Sequence, residues 1–370
     1  MTKARFSYWY IFFVLAVCSC SIEVNQPTES TPSPPIEPVA VASSSSPFPV
    51  THMPVTWADL HLSGKLVYLS SSTEVNSPVT SIQLLDLTTG TIATIFTAPP
   101  GAWIYYVTIS PDEKQLIMSY QLPAQPGSAS NRALYMMPLD ASASPQPLAP
   151  PPTVDDHYTQ VEWSPDGKYI YYVHYNHKES GGQFYEVYEI FRMAYPDGEP
   201  EKILDQAFWP RVSADSAKLV YVSLDPSSGL NELFTANADG SNSQKVDFSD
   251  SWIPDILDAP IFSPDEQSIL FSAPGPSQSY QRSWLDKAMG VHLAKAHSIP
   301  SDWWSVHVSG GAPTRLTNLQ TINLFASFSQ DNKHMVSVSG EGLFMMDLDG
   351  SNLTQLISDS GVHGTVSWIP

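Results

Sequence analysis

The sequence predicts an all-β protein, a six-bladed β-propeller of four-stranded antiparallel blades, from two interleaved repeats and the way the chain ends complete them. A segment built on Ser-Pro-Asp recurs along the chain, and a strand–turn–strand segment whose turn is often Asp-Gly alternates with it. Self-similarity at roughly 50 residues marks solenoids, propellers or arrays, in which each unit buries its apolar faces only against its neighbours. No helical period fits the repeated stretches.

The chain begins with Lys3 and Arg5, an apolar run from Phe6 to Val17, and Val17-Cys18-Ser19-Cys20. That run is short for crossing a bilayer core but fits the apolar region of an export signal. Its end resembles a bacterial lipoprotein signal, which implies cleavage after residue 19, lipidation of Cys20 and a membrane anchor at the new N-terminus. Residues 20–54 are rich in Pro, Ser and Thr and read as an extended tether. The propeller is expected over 55–370 and, with both cysteines in the leader, to hold together by packing alone.

The Ser-Pro-Asp repeats come next. YVTISPDEKQLIM (from Tyr106), VEWSPDGKYIYYV (from Val161), PRVSADSAKLVYV (from Pro210), PIFSPDEQSILFS (from Pro260) and ASFSQDNKHMVSV (from Ala326) share one register. Their serines, Ser110, Ser164, Ser213, Ser263 and Ser329, are spaced by 54, 49, 50 and 66 residues. Ser-Pro-Asp-Gly is type I turn chemistry, because Pro pre-sets φ at the second position and Gly relaxes the exit. The flanks carry the β-branched and aromatic residues that suit strands. Ala214 and Gln330 replace Pro, and Glu113, Ser216, Glu266 and Asn332 replace Gly, which should weaken those turns.

The second repeat has six copies, from SIQLLDLTTGTIATIF at Ser81 to EGLFMMDLDGSNLTQL at Glu341. Two strands around each turn type give a four-stranded unit, and such units arrayed radially are propeller blades. The sixth copy of the first repeat is divided between the termini: Thr365-Val366-Ser367-Trp368-Ile369-Pro370 stops where the turn should begin, and Gly64-Lys65-Leu66-Val67-Tyr68-Leu69-Ser70 starts just after it. The last strand should therefore pair with the first and close the ring.

Phe/Trp-Ser-Pro-Asp-Gly-Lys followed by Ile/Leu-x-Phe/Tyr, with a later Asp-Gly, resembles the repeats of the TolB-type propeller family across residues 60 to 370. The Gly-His and Trp-Asp pairs of WD40 repeats are missing. The resemblance implies a binding platform outside the cytoplasm. The N-terminal domain of periplasmic TolB has no counterpart here.

Charge narrows the partners. The formal net charge is -20, and outside the leader 15 basic residues stand against 37 acidic ones. Such a surface repels nucleic acid and anionic headgroups, so contact with a membrane is expected through the lipid alone and the propeller is expected to be monomeric.

In a blade with strands a to d, the a–b and c–d turns lie on one face, and the b–c and d-to-next-a connections on the other. The long connections all fall on the second face: Tyr120 to Arg132, His174 to Val187, an insertion over 273–302, Ala149 to Tyr158 and Asp247 to Asp258. Insertions of this kind carry binding residues. The candidates there are Trp103, Asp155, Asp156, His157, Trp252, Asp255, Trp284, Lys287 and His363, offered to a protein or glycan partner. Ser283 to Pro300 carries apolar residues at helical spacing. No catalytic elbow or phosphate loop is present, and a non-catalytic role without a cofactor is expected. The alternative is a metal-dependent polysaccharide lyase or hydrolase with His157, His174, His177 and His363 as ligands, a role that pectate-type lyases similar to this family imply for clustered histidines. Asp347 to Asn352 imitates a calcium loop, but Ser358 stands where such a loop needs Glu, so it reads as a turn.

Overall fold

The computed structural model describes residues 56–72, 78–123, 131–151, 153, 155–180, 183–225, 230–249, 256–275 and 299–370. Cys20, Trp252, Asp255, Trp284, Lys287 and the expected helix lie outside them. The described residues form six four-stranded antiparallel sheets. Blade 1 is β24 (Val362–Ile369), β1 (Lys65–Ser71), β2 (Thr80–Asp86) and β3 (Ile92–Thr97). Blade 2 is β4 (Trp103–Ile109), β5 (Gln115–Gln121), β6 (Arg132–Pro138) and β7 (Gln146–Ala149). Blade 3 is β8 (Asp156–Trp163), β9 (Tyr169–Ser180), β10 (Gln183–Ala194) and β11 (Glu201–Asp205). Blade 4 is β12 (Ala207–Val212), β13 (Lys218–Leu224), β14 (Asn231–Asn237) and β15 (Gln244–Lys245). Blade 5 is β16 (Asp258–Phe262), β17 (Ser268–Ala273), β18 (Asp302–His307) and β19 (Thr314–Arg315). Blade 6 is β20 (Phe325–Phe328), β21 (His334–Ser339), β22 (Gly342–Asp347) and β23 (Thr354–Ser358). One short helix, α1 (Trp57–Leu60), which the sequence did not announce, packs Trp57 and Leu60 on the core beside β1.

The core lies between blades. Because each second strand is covered on both sides, it reads as a continuous apolar run and not as alternation, as in Leu66 to Leu69, Leu116 to Met118 and Ile170 to Val173. The outermost strands are short and largely exposed, down to two residues in β15 and β19, which limits the free edges available for mispairing.

The ring closes as the termini predict. β24 pairs antiparallel with β1, with Trp368 opposite Leu66 and Ser367 opposite Val67. The Thr365 hydroxyl donates to the Val107 carbonyl of blade 2 at 2.6 Å, and the Trp368 amide donates to Ser327 Oγ of blade 6 at 3.0 Å. Gly364 sits in the β24 bulge with φ of +66°, where a Cβ would lie 2.5 Å from the Tyr105 carbonyl oxygen. A side chain there would push the closing strand off blade 2.

Five of the innermost strands, β24, β4, β8, β12 and β16, carry a bulge against their neighbour. A bulge re-aims a side chain, and Tyr106 and Trp209 lie at two of these bulges. They meet Phe325 of the unbulged β20, each ring four residues before its turn serine and from alternate blades, with ring centroids 5.2 to 6.0 Å apart. Beside this aromatic triad a cavity of about 20 Å³ is lined by Gln160, Glu162, Arg211 and Thr365, among others. The Glu162–Arg211 ion pair spans 2.9 Å; burial pushes the Glu162 carboxyl up and Arg211 opposes it.

The degraded turns need a correction. Glu113, Ser216, Glu266 and Asn332 adopt φ of 57° to 61°, the left-handed region that Gly167 occupies in the intact repeat. Two of them gain what glycine lacks: Ser216 Oγ accepts the Asp166 amide at 3.0 Å and Glu266 Oε1 accepts the Asp215 amide at 3.1 Å. Each bond joins a turn to the preceding blade, so these substitutions link neighbours as well as straining the turn.

Candidate functional site on the loop face of blades 1 to 3

His174 to Val187 is not a loop. β9 and β10 pair without interruption from Tyr169 opposite Ala194 to Ser180 opposite Gln183. Each has 12 residues, whereas the second strands of other blades have six or seven. β8 ends opposite Asn176 and β11 ends opposite Glu189, so the hairpin runs on alone past the sheet by about 13 Å. Tyr175, Val187 and Tyr188 supply the β propensity that continues the ladder.

A row of polar groups crosses all four strands at the hairpin's base. Asp156 of β8 lies 2.6 Å from His174 Nε2 of β9, His174 Nδ1 lies 3.2 Å from Glu189 of β10, and Glu189 lies 3.2 Å from Lys202 Nζ of β11. Burial would raise the Asp156 pKa, but the Thr153 hydroxyl at 2.6 Å, His174 and the Asn176 amide outweigh it and hold the carboxyl below its ordinary value. An unmatched buried carboxylate is costly, and here its oxygens are matched by three donors. The row therefore fixes the hairpin to the sheet.

Farther out, the rings of His157, Tyr175, Tyr188 and Phe208 form a ladder with centroids 5.7, 5.0 and 5.3 Å apart. Both tyrosine hydroxyls donate to the Glu186 carboxylate, Tyr175 at 2.8 Å. His177 Nε2 lies 2.7 Å from the Tyr175 hydroxyl. On blade 2, the Arg132 guanidinium lies 4.3 Å over the Tyr105 ring and 5.9 Å from that of Tyr175. Trp103 continues the stripe, 6.4 Å from Tyr105 and 5.3 Å from His363. Rings thus run from the closing strand across blade 2 to blade 4, part-exposed except for the buried Tyr175.

The sequence candidates divide accordingly. Trp103 meets His363, whose Nδ1 and Nε2 face the Gly361 and Ile104 carbonyl oxygens at 2.9 and 3.3 Å. Asp155 is exposed, Asp156 is buried in the cross-strand row, and His157 joins the ring ladder. The four histidines do not converge: His174 faces two carboxylates, His177 faces Tyr175 and Glu186, His157 stacks on Tyr175, and His363 belongs to blade 1. Among the described residues, no three His, Cys, Asp or Glu side chains are arranged to hold a metal ion. The Asp347 segment is a turn between β22 and β23, in which Asp349 Oδ1 accepts the Ser351 amide.

Sequence reasoning missed Arg132, Tyr105, Tyr175, Glu186 and Tyr188. Arg132 is the single cationic side chain between Lys114 and Lys168, a signal that was available. The tyrosines read as ordinary strand residues, which they are: Tyr105 lies in β4, Tyr175 pairs with His157 and Tyr188 pairs with Tyr175; which rings and charges they meet across strands is not a local property of the sequence.

The fold is that of TolB-like six-bladed propellers. The chain is similar to the TolB of Acinetobacter baumannii at 15% identity, with 83% of this chain and 67% of that one covered and a TM-score of 0.54. A candidate TolB from Agrobacterium tumefaciens gives 16% identity, 83% and 99% coverage and a TM-score of 0.50. Hydrazine synthase of Kuenenia stuttgartiensis gives 10% identity, 82% and 46% coverage and 0.55. No protein-family model and no curated protein matches the sequence.

Proposed function

We propose that this protein is an exported, lipid-anchored propeller that binds a protein or glycan partner through the loop face of blades 1 to 3. A propeller fold supports a binding platform at most, and fold alone does not choose the ligand. The observation that carries the reading is the non-repeating stripe from His363 through Trp103, Arg132 and Tyr175 to Phe208, which lies on the face where the insertions lie. Rings with polar edges dominate recognition surfaces because they bury much area at low entropy cost. Cys20 supplies the anchor, and the tether holds the platform away from the bilayer.

The test uses envelope extracts and a glycan array with the wild-type chain, a Trp103→Ala/Tyr188→Ala variant and a turn-face Lys114→Ala/Lys333→Ala variant. Loss of a defined partner in the first variant alone supports the reading, and loss in the second alone overturns it. The anchor is tested separately by labelling cells with an alkyne fatty acid: Cys20→Ala should abolish label, and undiminished label would remove Cys20 from the role.

A further inference from the structure

We infer that Arg132 anchors a subsite for a single carboxylate group on the loop face, with the His157 Nε2–H as a second donor. This rests on the platform reading and names the chemistry of one part of it.

Four arginines lie among the described residues. Arg192 pairs with Glu201, Arg211 with Glu162 and Arg315 with Asp302. Among the described residues Arg132 pairs with no carboxylate: its guanidinium meets the Tyr105 and Tyr175 rings, and its Nε is buried without a hydrogen-bond partner. On a chain with net charge -20, a guanidinium clear of every described carboxylate is unexpected on electrostatic grounds alone. The buried carboxylate of the neighbouring blade, Asp156, is taken by His174, Asn176 and Thr153.

The guanidinium carbon lies over the Tyr105 ring and near that of Tyr175. No acceptor among the described residues meets its two Nη groups, which leaves them as the recognition element. A planar fork of donors matches a carboxylate in bidentate fashion, and holding it in place beforehand reduces the entropy lost on binding. His157 adds a second donor. Its Nδ1 accepts the Arg132 backbone amide at 3.1 Å, so its proton resides on Nε2, which meets no acceptor among the described residues. Both donors flank Tyr175. Exposed Asp155 and the overall negative charge disfavour a polyanion, which limits the ligand to an isolated carboxylate, from a peptide or from an acidic sugar.

The experiment is a set of ligand-observed NMR titrations on the full chain in detergent at fixed ionic strength. The probes are N-acetyl-glycyl-phenylalanine against its C-terminal amide, and glucuronate against glucose. The carboxylate should bind at least tenfold more tightly than its neutral counterpart in one pair, and that pair identifies the source. Arg132→Gln should erase the preference, and Arg132→Lys, which keeps the charge but loses the fork, should retain part of it and serves if the glutamine variant does not fold. Equal binding within both pairs, or a preference undiminished in Arg132→Gln or, if only that variant folds, in Arg132→Lys, overturns the subsite. If partner capture still depends on Trp103 and Tyr188 in that event, the platform stands without it.

Discussion

At one end of the β8–β9 hairpin, Ser164 Oγ donates to Asp166 at 2.8 Å and accepts the Tyr169 amide at 2.9 Å. The same pair of bonds recurs at Ser110, Ser213, Ser263 and Ser329, with Ser–Asp distances of 2.6 to 2.7 Å and amide distances of 2.9 Å. At the other end of blade 3, the contacts of Asp156, Tyr175 and Glu186, with Arg132 of blade 2 beside them, are not repeated residue for residue; blade 5 instead holds buried Asp302 with Arg315, Thr317 and Gln320. One face is a template, and the other varies from blade to blade. A repeat makes a ring by presenting the same turn at each step, so whatever breaks the repetition on the opposite face is not needed to make the ring. It is free to serve recognition.

The strongest test of that division is to remove the closure on which both faces depend. Deleting Gly364 to Pro370 takes away four of the six β24 residues that pair with β1, among them the buried Val366 and Ile369. Losing buried aliphatic side chains costs about 2 to 5 kcal/mol each, so Tm should fall by about 10 °C or more. A thermal melt that is unchanged would show the ring to be held by something other than its seam.

That seam was legible because the repeat itself announced a missing half at each end. Blade number, strand count and closure all followed from counting Ser-Pro-Asp and Asp-Gly segments, since local turn chemistry and apolar runs agreed at every copy. The candidate site was legible only in part. His157 and Trp103 stood out because they are rare residue types on connections. Arg132 was hidden at the start of an ordinary strand, and its significance depends on which rings surround it and which carboxylates do not. The His174 to Val187 segment was misread because its Gly-Gly at 181 and 182, its charges and its histidines resemble a loop, while the tyrosines and valine on either side extend a ladder. Side-chain pairing across strands decided the outcome, and that is not a local property of the sequence.

A smaller effect probes the template directly. Ser164→Ala removes a donor to Asp166 and the acceptor for the Tyr169 amide in a buried position. The expected cost is about 1 to 3 kcal/mol, and the equivalent changes at Ser110, Ser213, Ser263 and Ser329 should agree with it closely by denaturant unfolding. Widely scattered values would mean that the turns do different jobs and that the turn face is not a template.

On the varying face, His157 makes a pH-dependent contribution. Burial, Arg132 and His177 lower its pKa from 6.5 to about 4. A base whose folded pKa lies below its unfolded pKa binds fewer protons in the native state, so its contribution to stability is fully present above about pH 6.5 and is lost as pH falls toward 4. Protonating Nδ1 would also break the bond from the Arg132 amide. The turn aspartates are held below their ordinary value of 3.8, so their loss begins at lower pH and the two faces separate on the pH axis. His157→Asn should flatten the decline of Tm between pH 6.5 and 4 while leaving the steeper loss below it. A variant whose Tm profile parallels the wild type through that window would remove His157 as the titrating group.

The smallest expected change tests whether departures from the repeat on the turn face are decay or design. Glu266 occupies a left-handed conformation at φ 57°, which costs a side-chain-bearing residue about 1 kcal/mol relative to glycine. Against that stands its bond from the Asp215 amide, worth about 0.5 to 1.5 kcal/mol, and the greater chain entropy that glycine would lose on folding. Glu266→Gly should therefore shift stability by no more than about 0.5 kcal/mol, while hydrogen exchange at the Asp215 amide accelerates and that at the Tyr169 amide does not. A clear rise in Tm with unchanged exchange at Asp215 would show the inter-blade bond to be idle, leaving strain as the sole consequence of losing the glycine.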